Sequence, residues 1–442
     1  MNNIDYICSI ELNKNNFMQS EVLKQVISEQ RANVLKKPMG VLRDALKLVE
    51  NKLQLPHIIV ITGIRRCGKS TLLRQIIQQY YNNTDFYYIN FEDERLLNFN
   101  ANDFNNIYET LVELYGEKTT FLIDEIQNVD NFDSFVRRFY DLGFKFIITG
   151  SNARLLSKEI STKLTGRHTD IYIQPFSFLE YLQFADVESR NMDIYISENR
   201  SVIKKHFNDW LVRGGMPEYV KFDDLDIINR IYDDIVLKDI VARYKVENVK
   251  AIRELYSYLI SNFANRYSYN SLNKFSSISS VATTQRFIHY FQESFIGAEI
   301  NKFDYSYRKQ MINEKKIYIV DNGLITAIST RLTTDKGWLL ENAVYNILST
   351  FGNIFYFSNK NECDFIVQNY DKTISAFQVC YDFNTHNRER EIKGIKEAMD
   401  FFDINNSIIL TSDYEELITL ENKKTIIILP VWKWILEKRA IL

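Results

Sequence analysis

The sequence predicts an α/β protein whose first domain is a parallel β-sheet with helices on both faces. Two observations carry this. Between His57 and Pro175 the short apolar runs "HIIVITG", "DFYYINFED", "TTFLIDEIQ", "FKFIITGSN" and "DIYIQPFSF" alternate with helix-patterned stretches. Strands buried on both faces read as continuous apolar runs of this kind. The first run also passes directly into Gly63-Ile64-Arg65-Arg66-Cys67-Gly68-Lys69-Ser70, which fills GxxxxGK[ST] without a gap and opens an amphipathic helix. A loop so placed cradles phosphate, because its backbone N–H groups point inward and the helix N-terminus adds partial positive charge.

The bulk numbers agree with several domains. A chain of 442 residues exceeds one average core, so two or three domains are expected. With 45% hydrophobic residues and only 14 Gly and 5 Pro, no segment has the composition of a disordered linker. The formal net charge of -3 comes from 54 basic and 57 acidic residues, so no global positive field holds nucleic acid and any DNA contact has to be local. Cys8, Cys67, Cys363 and Cys380 form neither a CxxC pair nor a zinc spacing, as expected of reduced thiols in a cytoplasmic protein. No apolar run approaches the roughly 20 residues that span a bilayer, and Met1 to Lys14 lacks a signal-peptide pattern. A soluble, cytoplasmic protein without membrane partners is the expectation.

Along the chain, residues 1–55 read as helices, with Val22, Val26 and Ile27 and then Val41, Leu42, Ala45, Leu46 and Val49 at helical spacing. The P-loop NTPase core spans 56–175. Residues 176–260 are helical in pattern, broken by Gly214-Gly215-Met216-Pro217, and read as a helical lid with a tight turn. Over 261–336, helices near Ser271 to Lys274 and Thr283 to Gln292 precede strand-like "GAEINKFDYSY" and "KKIYIVD", which suggests a winged-helix-like module. Residues 337–442 form a third α/β unit. A helix from Trp338 to Ser349 leads into "IFYFSNKNECDFIVQN" and "TISAFQVCYDF", then a charged helix from Asn387 to Phe402 and the strands "SIILTS" and "TIIILPVW".

The loop motif assigns roles. Lys69 reaches the β- and γ-phosphates of ATP or GTP and Ser70 ligates Mg2+, with Gly63, Gly68 and Thr71 around the phosphates and Arg66 and Cys67 at variable positions that either join them or serve as exposed loop and packing. A second strand, "TTFLIDEIQNV", ends in Asp124-Glu125, where Asp124 is suited to hold the metal and Glu125 to deprotonate the attacking water. Glu125 therefore argues for hydrolysis. The strand "FKFIITGSN" ends in Ser151-Asn152, and Asn152 is suited to sense the γ-phosphate through its amide. Arg167 admits two readings, an arginine finger supplied to a neighbouring subunit or a cation balancing a helix dipole. Glu92, Asp93 and Glu94 either touch the loop arginines and modulate Glu125 or form a solvated acidic turn.

Taken in order, "GIRRCGKSTLL", "NFEDERL", "FLIDEIQNV", "IITGSNARLLS", "LTGR", "QPFSFLEYL" and "RGGMPEYV" resemble the bacterial and archaeal AAA+ ATPases that carry a DUF4143 C-terminal region. That resemblance covers nearly the whole chain after His57. It implies an AAA+ core with Walker A, Walker B and a sensor, adenine as the base, a winged-helix-like module, and a C-terminal domain similar to restriction-endonuclease-like nucleases. No NKxD-like guanine reader follows the sheet.

Such nucleases use a helical Glu, an Asp at a strand end and an acid-x-Lys on the next strand. Glu341 and Asp364 fit the first two positions, but Gln378 stands for the third acid and Cys380 for the lysine. The expectation is a domain kept for binding or assembly, with DNA cleavage a minor alternative. Cys363 and Cys380 read as core thiols. The favoured function is an Mg2+-dependent ATPase acting as a conformational switch or remodeller on DNA or protein. The DNA candidate is the helix at Thr283 to Tyr290 with Arg286 and His289, whose Ser-Val-Ala-Thr-Thr-Gln-Arg start suits phosphate contacts and ordinary capping equally. A trans arginine would require a homo-oligomer. A nucleotide-gated scaffold with little turnover is the competing expectation.

Overall fold

The computed structural model describes residues 20–82, 84–151, 164, 166–188, 192–275, 278–331 and 335–437. The chain forms two compact units, 1–173 and 174–442.

In the first unit the helices Ser20–Lys36 (α1) and Ala45–Leu53 (α2) precede β1 (Ile58–Thr62), the helix Lys69–Tyr80 (α3) and β2 (Tyr87–Asn90). Helix Phe104–Tyr115 (α4), β3 (Thr120–Asp124), helix Phe132–Asp141 (α5), β4 (Lys145–Gly150) and β5 (His168–Tyr172) follow. The five strands form one parallel sheet in the order β2-β3-β4-β1-β5. All five residues of β1 and of β3 are buried, which is why both read as unbroken apolar runs. Alternate residues serve opposite faces. Ile58, Val60, Tyr87, Ile89, Phe121, Ile123, Phe146 and Ile148 pack in one cluster with Leu23, Val26 and Ile27 of α1, Phe104, Ile107 and Leu111 of α4, and Phe135 and Val136 of α5. The sheet edge at β2 is closed by a side chain. Gln30 on α1 donates to the Asn90 carbonyl and accepts from the Asn90 N–H, both at 2.9 Å, so it satisfies backbone groups that an edge strand would leave open.

Parallel strands put every loop that follows a strand on one side of the sheet. Gly63 after β1 and Glu125 after β3 are therefore neighbours in space although 62 positions apart in sequence.

The second unit opens with five helical elements, Phe178–Phe184 (α6), Ser197–Arg213 (α7), Pro217–Phe222 (α8), Leu225–Asp234 (α9) and Val249–Ser261 (α10), with a π-helical stretch Ile235–Ala242 after α9. Helices Tyr269–Phe275 (α11) and Val281–Glu293 (α12) come next, then β6 (Gly297–Lys302), helix Tyr307–Ile312 (α13), β7 (Lys315–Ile319) and helix Asn322–Ile328 (α14). Helix Lys336–Leu348 (α15), β8 (Gly352–Ser358), β9 (Glu362–Asn369), β10 (Ile374–Cys380), helix Arg388–Phe402 (α16), β11 (Asn406–Thr411), β12 (Glu416–Thr419), β13 (Thr425–Pro430) and helix Val431–Leu436 (α17) complete it. One mixed sheet runs β12-β13-β11-β10-β9-β8-β6-β7. The β6–β7 pair is the antiparallel hairpin expected of a winged-helix-like module, but it extends the sheet of the C-terminal segment through a parallel β6–β8 pairing. The strand-like run "GAEINKFDYSY" is a strand only to Lys302, and its aromatic end leads into α13.

The Gly214-Gly215 turn between α7 and α8 is tight because a buried carboxylate fills it. The Asp321 carboxylate accepts from the Gly215 N–H at 2.6 Å and the Gly323 N–H at 2.9 Å. Gly214 has φ +74°, and a Cβ there would lie 2.2 Å from Asp321 Oδ1. Burial lifts the Asp321 carboxyl from its ordinary 3.8 to about 6, against the pull of the Gly215, Gly323 and Leu324 N–H groups. An acid whose folded pKa lies above its unfolded one binds more protons when folded, so its contribution weakens as pH rises from about 4 to about 6. Relative to Asp321→Asn, the unsubstituted protein should gain about 2 kcal/mol between pH 7 and pH 4, measured by urea unfolding at both values. A gap that does not change with pH would rule this out. Gly214→Ala should cost about 3 kcal/mol in the same assay, from backbone strain and the clash with Asp321.

Candidate functional site

The phosphate loop is shaped by its glycines. Gly63 adopts φ +154°, and a Cβ there would stand 2.2 Å from the Ile173 carbonyl, so only glycine lets the loop leave β1 beside the end of β5. Gly68 has φ +107° and caps α3, whose first residues are Lys69, Ser70 and Thr71. Arg66 also lies in the left-handed region, at φ 67°, and its side chain is exposed, whereas Cys67 is fully buried. Lys69 is 4% exposed and folds over the loop. Its ammonium donates to the Gly63 and Ile64 carbonyls at 3.2 Å each and stands 3.7 Å from Glu125 Oε1.

Facing the loop, β3 ends in a fully buried carboxylate. Asp124 Oδ1 takes a short hydrogen bond from the Thr149 hydroxyl, and that hydroxyl accepts from the Glu125 N–H at 3.0 Å. Asp124 Oδ2 has no hydrogen-bond partner among the described residues. Burial and the Glu125 charge push the Asp124 carboxyl upward, while Thr149, the nearby Ser70 hydroxyl and Lys69 pull it back. A buried carboxylate oxygen left open beside a serine hydroxyl is the donor set a hard divalent cation takes. Ser70 and Asp124 therefore fit a magnesium ion.

Glu125 has φ 52° and ψ 46°, a left-handed conformation that costs a non-glycine residue on the order of 1–3 kcal/mol. Burial pushes its carboxyl up, but Lys69, Gln127 and Arg65 outweigh that and hold it below the usual range, so it is ionised at neutral pH. Gln127 donates a short hydrogen bond to Glu125 Oε2 and reaches Ser151 Oγ at 3.3 Å, which fixes the carboxylate's direction. Thr149 and Gln127 are absent from the residues expected from sequence. Thr149 left one signal, a hydroxyl near the end of an otherwise apolar buried strand.

Asn152 lies outside the described residues. Ser151 is buried at the end of β4. Glu92 pairs with Arg65 at 3.4 Å, so the acidic turn touches a loop arginine. Asp93 instead serves structure, accepting from Gln30 and from Arg95, and the Arg95 bonds hold its carboxyl down at about 2. Arg167 precedes β5 and pairs with Asp141 at 3.2 Å. Its carbonyl accepts from Ile58 N–H at the start of β1, whereas the loop leaves the other end of that strand, about 13 Å away. Arg167 thus does not reach the phosphate loop of its own chain.

In the second unit Glu341 and Asp364 do come together, but around a lysine. Lys316 on β7, with 6% of its side chain exposed, stands 2.6 Å from Glu362, 3.3 Å from Glu341 and 4.0 Å from Asp364. The Tyr318 hydroxyl donates to Glu341 at 2.6 Å, and Arg266 also pairs with Glu362. Burial pushes the Lys316 ammonium down, but the three carboxylates outweigh it and hold it above the ordinary lysine range. Asp364 is pushed well up by burial and by Glu341, against Lys316. Gln378 is engaged at both ends, accepting from Asp364 N–H at 3.2 Å and donating to Glu391 at 2.7 Å. Among the described residues no group of three or more His, Cys, Asp or Glu is arranged to hold a metal ion. Cys363 and Cys380 lie in one apolar cluster with Ile366, Ala376 and Ile395.

On α12, Ser280 caps the helix by accepting from Thr283 N–H at 3.1 Å. Arg286 bonds Thr283 and the exposed His289 lies 3.3 Å from Glu293, so the local arrangement is that of ordinary capping and surface pairing.

The family model for an AAA domain matches residues 55–182, and one for a domain of unknown function, DUF8612, matches residues 204–336. The latter stands in place of the DUF4143 region that the sequence resemblance implied. The uncharacterized protein MJ1544 of Methanocaldococcus jannaschii is 34% identical over 443 residues, covering 96% of this chain and 97% of that protein. An uncharacterized protein of Haemophilus influenzae is 28% identical over 398 residues, covering 86% and 94%. Among solved structures, the Aeropyrum pernix ORC1 protein in complex with DNA aligns at 10% identity and TM-score 0.30, covering 67% of this chain and 95% of that one. Cdc6p from Pyrobaculum aerophilum aligns at 15% identity and TM-score 0.27, covering 67% and 96%. Overlaps of that size say nothing about what this chain binds. No described helix is long and apolar enough to cross a membrane. With a third of its residues shared across nearly its whole length, and an AAA domain built on a parallel P-loop sheet, the chain belongs to the family of MJ1544 as an AAA+ P-loop protein.

Proposed function

We propose that the chain binds ATP with Mg2+ and hydrolyses it, and that the cycle drives a conformational switch acting on a DNA or protein partner. The observation that carries this is the open Oδ2 of buried Asp124 beside Ser70, opposite a loop whose lysine is paired with Glu125. Lys69 is held by the Gly63 and Ile64 carbonyls and by Glu125. Phosphate oxygens are stronger acceptors than carbonyls, so Lys69 turns to the β- and γ-phosphates while the loop N–H groups and the α3 N-terminus hold the rest of the charge. Glu125 then loses its partner cation and is free to accept a proton from water in line with the γ-phosphate. Ser70 and Asp124 would hold a magnesium ion, whose charge would offset that of the phosphates. Asn152, two residues beyond β4, is proposed as the γ-phosphate sensor, and Thr149 keeps Asp124 and Glu125 in register.

Since Arg167 cannot serve its own loop, its proposed catalytic role is in a neighbouring subunit, which makes hydrolysis depend on a homo-oligomer. The Lys316 cluster supports the view that the C-terminal α/β segment binds or assembles and does not cleave nucleic acid, because an ammonium fills the space between the carboxylates.

Steady-state ATP hydrolysis over a protein concentration series, with and without duplex DNA, tests this reading. Glu125→Gln should lower turnover at least a hundredfold while ATP binding persists, and Lys69→Ala should abolish binding. The specific rate should rise with protein concentration, and Arg167→Ala should remove that rise. A wild type no faster than Glu125→Gln would leave a nucleotide-gated scaffold instead. Stimulation by DNA that falls steeply with salt would select DNA as the partner class, and indifference to salt would select protein.

Two further outcomes follow from the same geometry. Thr149→Val, nearly isosteric, should reduce kcat by about tenfold to a hundredfold with little change in ATP affinity, measured by a KM and kcat comparison; an unchanged kcat would deny Thr149 a positioning role. Lys316→Met leaves three carboxylates without their buried cation and should cost about 3–5 kcal/mol in urea unfolding. A Lys316→Met protein as stable as wild type would show the cluster to be hydrated and open.

A further inference from the structure

A buried cation lies against the backbone of the phosphate loop. Arg43, just ahead of α2, is 5% exposed. Its Nη1 donates to the Cys67 carbonyl at 2.6 Å, across 24 positions of sequence. The Arg43 backbone N–H donates to Gln75 Oε1 at 3.2 Å, and Gln75, fully buried on α3, donates to the Met39 and Val41 carbonyls at 2.9 and 2.7 Å. Residues 39–43 are thereby fastened both to the loop and to the helix that follows it. At Gly68 a Cβ would lie 2.7 Å from Arg43 Nη1, so the guanidinium packs on the bare Cα of the loop's second glycine.

We infer that Arg43 is a positioning residue for the phosphate loop: its bond to the Cys67 carbonyl sets the Cys67–Gly68 peptide so that the Gly68 N–H is presented to phosphate, and it ties residues 39–43 to loop occupancy. This rests on the ATP reading given above. The described chain contains no cis peptide, so the Gly68 N–H points away from the carbonyl that Arg43 holds. Glycine at φ +107° has many other conformations to visit, and a charged hydrogen bond on the adjoining carbonyl removes them. The same bond polarises the peptide and makes its N–H a stronger donor. Arg43 also places a second buried positive charge at the loop, beside that of Lys69. The Cys67 thiol, pushed up by burial, is pulled back by both Lys69 and Arg43. Arg43 touches the loop's backbone from outside, so it governs affinity for the phosphates and leaves the chemical step to Glu125.

Calorimetric titration with Mg-ATP and, separately, Mg-pyrophosphate should be run on wild type, Arg43→Lys and Arg43→Met, with kcat and KM for each. Arg43→Met should weaken both ligands by about tenfold to a hundredfold, with kcat at saturation within about threefold of wild type. Arg43→Lys should fall between, since an ammonium keeps the charge but lacks the fixed planar donors. Arg43→Met that binds pyrophosphate as tightly as wild type, whatever its Tm, would overturn the inference. Should Arg43→Met not fold, wild-type hydrogen exchange decides: Mg-ATP should slow exchange at residues 39–44, and unchanged exchange there would overturn the coupling. Wild type that binds pyrophosphate but not ATP would remove only the ATP reading, and the Arg43 comparison would then stand on pyrophosphate. Wild type that binds neither would remove both.

Discussion

The first unit is organised around one buried carboxylate, Asp124, with one oxygen bonded to Thr149 and the other without a hydrogen-bond partner among the described residues. An ionised group so deep would be untenable alone. It is tolerated because Lys69 lies nearby, because Thr149 supplies a hydroxyl, and because Ser70 at the start of α3 is within reach. These groups come from three chain segments, and only the parallel sheet brings them to one edge. The left-handed backbone at Glu125 belongs to the same arrangement: the chain turns sharply after β3, its N–H is caught by Thr149, and the glutamate swings toward Lys69. Strain stored in this way persists only where surrounding bonds over-determine it.

The second unit shows the opposite use of buried charge. Lys316 sits among Glu341, Glu362 and Asp364, and Asp321 accepts backbone N–H groups from the Gly214-Gly215 turn and from the first turn of α14. Each carboxylate there has its partners, so the clusters fasten elements together: Lys316 joins β7 to β9 and α15, and Asp321 joins the Gly214-Gly215 turn to the start of α14. An open buried oxygen marks a site, and a fully paired one marks a fastening. Two superficially similar acidic groups, Asp124-Glu125 and Glu341-Asp364, differ in this respect.

Much of the architecture was legible from pattern alone. Apolar runs flanked by helical stretches located all five strands of the first sheet, and GxxxxGK[ST] located the loop, because both are local signals with fixed periods. The helices at 281–293, 336–348 and 388–402 also stood out by period. The pairing of β6 with β8 was not legible, since strand neighbours depend on long-range packing that leaves no mark in either strand's own sequence. Thr149 and Arg43 were missed for a related reason: each is an ordinary residue in its local segment, and its role comes from a partner 25 or 24 positions away held in place by the fold.

The nuclease-like cluster marks the dividing line. From sequence, a missing lysine at Cys380 left that position without a cation; in the fold, β7 supplies Lys316 from a different strand and fills the cluster. The sequence by itself determined the chemistry on offer, namely a phosphate loop, a pair of acids after a buried strand, and two α/β regions joined by helices. Only the tertiary structure decided which acids keep an open oxygen and which are neutralised, because that depends on which distant cation or hydroxyl the packing of strands and helices brings within about 3–4 Å.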